Sequence, residues 1–260
     1  MALANDDRSS RRVQSVKNAV RIIGLLEERE EAGVTELANE LDLNKGTVHT
    51  QLSTLEEHGF VAQEGDEYHL GLRLLELGEN AKGRLDILDV AGPELDNLAE
   101  ETDTRTQLVM EENGRAVCVY LTRGPNAILP ASDVGYGEYL HCIASGKALM
   151  AHLPDERVSA AIERHGLPAR TSETVTDRDE LHEELAQIRE RGYAFNDEEK
   201  LRGLRAVGAP ILGSDETVIG AISISDTAQQ MTGERFRETL PDRLQQTANR
   251  IEFNFNARHG

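Results

Sequence analysis

VTELANELDLNKGTVHTQLSTLEEHGFV, residues 34–61, contains two short helical patterns separated by a turn at 42–44. In the first, Leu37, Ala38 and Leu41 share one face and Thr35 is placed to cap it. The second runs from Lys45 to about His58, with Val48, Leu52 and Leu55 at i, i+4 and i+7 facing inward. Gly59 suits the left-handed position past its end. Upstream, residues 13–28 repeat apolar side chains every three or four positions (Val13, Val16, Val20, Ile23, Leu26), which predicts a first amphipathic helix. Downstream, the extended runs 60–63 and 68–70 flank the turn Glu64-Gly65-Asp66-Glu67, the pattern of a hairpin. Three helices followed by a small hairpin make a winged helix-turn-helix.

A helix enters the major groove of DNA when one face docks on its own domain and the other offers hydrogen-bonding groups to base edges. In the second helix of the motif, Lys45, Gly46, Thr47, His49, Thr50 and Ser53 are the groups so offered, and Arg11, Arg12 and Lys17 are placed to meet phosphates. The chain as a whole is acidic, with 47 Asp and Glu against 28 Lys and Arg and a net charge of −19. That balance opposes DNA binding unless the charge is unevenly spread. It is: residues 8–26 carry five basic side chains and no acid, and residues 43–55 carry one Lys and no acid. An anionic partner at this helix explains both gaps. Only 5 of the basic residues are Lys, a composition that fits a surface adapted to molar salt. An acidic mesophilic protein is the other reading.

Leu72, Leu75, Leu77, Leu85, Leu88 and Val90 continue as helical linker material toward Pro93, which is placed to open a new helix at its first turn. Beyond Thr104 strand-like runs appear at 106–111, 116–122, 128–131, 193–196, 207–212 and 218–225, with turns at 112–114 and 213–215. Helical patterns fit at 144–153, 155–165, 177–191 and 233–253, the third capped by Thr176 or Asp177. Hairpins with segregated helices predict an α+β domain around an antiparallel sheet. The expected division is a winged helix-turn-helix at 1–78, a linker helix at 79–92 and an effector-binding domain at 93–260.

Other chemistries find little support. Ser145-Gly146-Lys147 looks like the end of a phosphate-binding loop, but its spacing would require glycine where His141 stands. Cys118 and Cys142 have no metal-ligand or disulfide spacing, and Cys142 beside His141 lacks a third orienting group for nucleophilic catalysis. The eight histidines form no ligand cluster. Arg202 and Arg205 have the geometry to hold a carboxylate ligand, although pairing with surface acids is the commoner fate of such residues. No apolar stretch approaches the roughly 20 residues of a membrane span, and the first residues lack a signal-peptide core. The expectation is a cytoplasmic, non-enzymatic protein without metal or cofactor.

Several motifs in order resemble the IclR family of bacterial and archaeal transcriptional regulators: VQSVKNAVRIIGLL (13–26), the opening stretch, YHLGLRLLELG (68–78), LHCIASGKALMAHLP (140–154), IRERGYAFNDEEKLRGLRAVGAPIL (188–212) and VIGAISIS (218–225). The resemblance implies a winged helix-turn-helix, a linker helix and a GAF-like sensor domain. It also implies a homodimer or homotetramer on a palindromic double-stranded operator, and a small-molecule effector that is an organic acid, an aromatic compound or a sugar-derived metabolite. Carried onto this chain, the effector pocket takes Gly135, Tyr136, Gly137, His141 and Ala144 on one side. Asn196, Asp197, Ala206, Ser223 and Ser225 form the other. Ser223 and Ser225, at i and i+2, face the same side of a strand. The chain departs from the family pattern at Ala206, where cysteine is usual, at Thr50, where arginine is frequent, and at Gly208, where alanine is customary. The competing reading is a small-molecule-binding or enzymatic α+β domain whose N-terminal module mediates assembly.

Overall fold

The computed structural model describes residues 13–127 and 134–259. The chain divides into two compact units, one ending at Leu85 and one beginning at Asp86. The strand expected at 128–131 lies outside the described residues, as do Arg11 and Arg12.

The first unit contains α1 (Gln14–Arg29), β1 (Glu31–Gly33), α2 (Val34–Leu41), α3 (Lys45–Glu57), β2 (Val61–Glu64), β3 (Glu67–Leu70) and α4 (Arg73–Lys82). Its sheet is antiparallel in the order β1-β3-β2. β1, too short to announce itself in the sequence, pairs Ala32 with Tyr68. The core joins Ile22 and Leu26 of α1 with Leu37 and Leu41 of α2, Val48, Leu52 and Leu55 of α3, and Val61 and Tyr68 of the hairpin. The inward face of α1 therefore differs from the expected one. Asn18, Ile22 and Leu26 are buried, while Val13, Val16 and Val20 are 62%, 60% and 62% exposed. Spacing alone allowed either stripe, because apolar residues occur on both. The start of α2 is also corrected: Gly33 holds the cap position and Thr35 lies inside the helix. At the other end of the motif a Cβ on Gly71 would lie 2.1 Å from the carbonyl oxygen of Gly59. The hairpin can close onto the end of α3 only because residue 71 is glycine.

In the second unit α5 (Leu88–Thr102) precedes β4 (Arg105–Glu112) and β5 (Arg115–Arg123). The next elements are β6 (Gly137–Tyr139), a 3-10 turn (Leu140–Cys142), α6 (Ala144–His152), α7 (Asp155–His165) and α8 (Arg178–Arg191). Then come β7 (Ala194–Asp197), β8 (Leu204–Leu212), β9 (Val218–Thr227), a π turn (Arg235–Thr239) and α9 (Leu240–His259). The six-stranded sheet runs β6-β5-β4-β9-β8-β7 and is antiparallel throughout. The fold is α+β, as expected. Pro93 does not open a helix: it lies inside α5, and the linker stretch breaks between Lys82 and Leu88. Asp177 caps α8 by accepting from the N–H groups of Asp179 and Glu180.

Helices cover both faces of the sheet. α5 and α9 pack on one, and α6, backed by α8, packs on the other. Residues alternate accordingly. Val109, Cys118, Ala194 and Ala221 join the core beneath α6. Gly208 explains how closely α6 sits, since a Cβ there would lie 2.4 Å from the carbonyl carbon of Ala144 and 2.5 Å from the nitrogen of Ser145. The alanine customary at this position would push the helix off the strand.

Candidate DNA-reading helix and effector site

The turn into α3 is fixed by Asn44, whose Oδ1 accepts from the N–H of Thr47 at 2.8 Å. Val48 and Leu52 are fully buried, so the opposite face is turned outward, with Lys45, Gly46, His49, Thr50 and Ser53 exposed and Thr47 half-buried. The outward face carries no acid before Glu56. Thr50 donates its hydroxyl to the carbonyl oxygen of Gly46 at 2.9 Å, which leaves a lone pair and a methyl group for a partner. Those groups match an amino group of adenine or cytosine, or the methyl of thymine, better than the guanine edge that arginine reads. Lys17 is exposed on α1, whereas Arg21 donates to the carbonyl oxygen of Leu41 at 2.9 Å and is committed to the end of α2. The hairpin tip exposes Glu64, Asp66 and Glu67. Such a wing repels phosphates unless salt screens it.

In the second unit the sheet register sorts the expected pocket residues. One row across the strands reads Asn196, Ala206, Ser225, Arg105, and the next reads Ala194, Gly208, Ser223, Gln107. Both rows lie on the face covered by α6. Ala144, Asn196, Ala206, Ser223 and Ser225 are therefore brought together and are all buried. Asn196 is already engaged: its Nδ2 donates to the carbonyl oxygen of Cys142 at 2.7 Å and its Oδ1 accepts from the N–H of Glu199 at 3.0 Å. Its role is to hold the entry to α6. The N-cap residue Ile143 makes no side-chain bond to the first turn of α6, and the positive end of the helix dipole lies at that turn.

Four expected pocket residues are placed elsewhere, and His141 is turned away. Gly135, Tyr136 and Gly137 follow the outer side of β5: Gly135 donates its N–H to the carbonyl oxygen of Cys118 at 2.7 Å, and the carbonyl of Tyr136 accepts from Cys118 N–H at 3.1 Å. Gly137 pairs with Val117, two strands from β9. His141 is buried with Nε2 3.2 Å from the carbonyl oxygen of Pro168, and burial lowers its pKa. Asp197, next to Asn196 on β7, points to the opposite face by strand alternation and pairs with Arg205 at 2.6 Å and Arg237 at 2.9 Å. Arg205 is thereby occupied by protein carboxylates, and Arg202 is exposed and 3.4 Å from the hydroxyl of Ser172.

Cys142 is buried, its thiol pushed up to about 11 by desolvation, so it is inert as a nucleophile at neutral pH. Lys147 is fully buried, with Nζ 2.6 Å from Glu184 and 2.7 Å from Glu199, and cannot reach a phosphate. Arg105 and Gln107 share the face of Ser223 and Ser225 without being among the expected pocket residues; Arg105 lies one residue before the expected strand start at Thr106, and the alternation Arg105, Gln107, Val109 is the signal that places both on one face.

Residues 15–65 match the IclR helix-turn-helix domain, and residues 80–253 match the C-terminal domain of the bacterial transcriptional regulator IclR. The chain belongs to the IclR family. It is a DNA-binding transcriptional regulator with a C-terminal ligand-binding domain, as the two matched domains together define. An IclR-family relative named "Probable HTH-type transcriptional regulator ArcR" from Halobacterium salinarum is 35% identical over 253 residues, covering 96% of each chain. The IclR structure from Thermotoga maritima superposes with a TM-score of 0.77 at 27% identity, covering 94% of this chain and 99% of that one. The fold also matches an IclR homologue from Microbacterium hydrocarbonoxydans crystallised with 4-hydroxybenzoate, with a TM-score of 0.79 at 22% identity and coverage of 94% and 99%. Among the described residues no helix is long and apolar enough to cross a membrane.

Proposed function

We propose that the face Lys45, Gly46, Thr47, His49, Thr50 and Ser53 of α3 reads a palindromic operator, with Lys17, Arg11 and Arg12 meeting phosphates. A small metabolite bound beneath α6, at Ala144, Ala206, Ser223 and Ser225, controls that binding. The observation that carries this reading is the outward, acid-free face of α3 in an otherwise acidic chain. The second reading, an enzymatic domain with an assembly module, gains nothing from Lys147 and Cys142, whose reactive groups are neutralised or buried.

Two reading helices on a palindrome require two copies of the chain. The exposed stripe of Val13, just before α1, with Val16 and Val20 on it, together with exposed Leu72 and Leu75 at the start of α4, supplies apolar surface that a homodimer would cover. The effector changes DNA affinity through its differential affinity for two arrangements of that dimer. The reading is of a cytoplasmic protein without catalytic activity, and the acidic, Lys-poor composition supports operation at high salt.

The test is operator protection with and without ligand. A Ser223→Ala, Ser225→Ala double variant should lose the ligand response while still protecting two half-sites about one helical turn apart. An unchanged response would remove the pocket from the account.

A further inference from the structure

Arg105 opens β4 on the α6-covered face and is 7% exposed. A buried guanidinium normally faces a carboxylate, because an unpaired cation out of water is unfavourable. Arg105 has no such partner among the described residues. Its hydrogen bond runs from Nη2 to the neutral Oε1 of Gln107 at 2.9 Å. The carboxylate whose charge acts on it, Glu138, is itself paired with Lys200 at 2.5 Å. Among the described residues its Nε–H has no acceptor, and the hydroxyl of Ser225 has no hydrogen-bond partner. These are two of only four such buried atoms among the described residues, and they belong to residues paired directly across β4 and β9.

We propose that Arg105, with the hydroxyl of Ser225, anchors a carboxylate of the effector, so that this regulator responds to an organic acid and rejects the matching neutral compound. The inference rests on the effector pocket proposed above and adds a specificity-determining residue to it. Guanidinium geometry suits a carboxylate, which accepts from neighbouring N–H groups in one plane. Gln107 is the positioning residue: Oε1 holds the guanidinium while Nε2 lies 3.5 Å from the hydroxyl of Ser145 in the first turn of α6. The nearby start of that helix adds a second source of positive potential to the same face.

The experiment measures melting temperature and calorimetric affinity of the full chain at constant ionic strength with benzoate, 4-hydroxybenzoate, pyruvate and succinate, and with their amides. The expected result is that at least one acid stabilises the protein and its amide does not. Arg105→Gln should weaken that acid about 10- to 100-fold, the range of a lost charge-assisted contact. Arg105→Lys should retain part of the affinity. Without ligand Arg105→Gln should melt no lower than the parent, because it removes an uncompensated buried charge. Equal binding of acid and amide, undiminished binding to Arg105→Gln, or no stabilisation by any of the four acids would overturn the proposal. If Ser223→Ala, Ser225→Ala loses a ligand that Arg105→Gln keeps, the pocket stands and the Arg105 anchor falls; if both variants keep it, both fall.

Discussion

Lys147 carries its charge into the interior of the second unit, where Glu199 and Glu184 surround the ammonium group. Burial raises the pKa of Glu199 and the ammonium opposes that rise, so a single cation holds two carboxylates together. Removing the cation alone leaves two carboxylates facing each other, and Lys147→Met should cost about 3–5 kcal/mol of unfolding free energy. Lys147→Met with Glu199→Gln should recover part of that loss, which denaturant melts of the two variants would reveal. Gly208→Ala belongs to the same scale. The added methyl meets backbone of α6, not a flexible side chain, and should cost about 1–3 kcal/mol in the same melts. Neither role was visible in the sequence. Ser145-Gly146-Lys147 offered only a false phosphate-loop pattern, and the contacts of Gly208 and Lys147 come from elements 37 or more residues away for the lysine pairs and about sixty for the glycine.

The elements themselves were far more legible, because period and capping are local signals. α3 was set by Val48, Leu52 and Leu55 and closed by Gly59, whose positive φ of 75° is of the kind glycine adopts readily. Asn44 is the one side chain bonded to the helix start, and Asn44→Ala should destabilise the first unit by about 1 kcal/mol and weaken DNA binding by loosening the turn before Lys45. Where the sequence misled, two patterns competed. On α1 the valines Val13, Val16 and Val20 formed a stripe as regular as Ile22 and Leu26, and only packing against α2 and α3 chooses between them. Pro93 signalled a helix start, yet α5 begins five residues earlier. The N–H that proline lacks is dispensable in the first turn, and here the ring is accommodated deeper in the helix. The pocket divided for the same reason. Ser223 and Ser225 share a strand, so alternation placed them, whereas the positions of Gly135 to Gly137 and His141 depend on which strand the loop pairs with.

At the scale of the whole molecule, the proposed function requires two copies and a salt-tolerant interface to work together. Val16→Asp with Val20→Asp places charge on the exposed stripe of α1, away from Ile22 and Leu26. The double variant should fold with an intact melting transition and scatter as a smaller species than the parent, whereas unchanged mass would move the proposed dimer contact elsewhere. On the proposed reading, phosphate contacts contribute least at molar salt, where counterion release gains little, so specificity rests on base edges and DNA shape. Selection of bound sequences from a random duplex pool in molar KCl, with the parent chain and with Thr47→Glu, tests that claim most directly. The parent should enrich one roughly palindromic sequence and the folded Thr47→Glu variant none. Enrichment of the same sequence by both chains would contradict it.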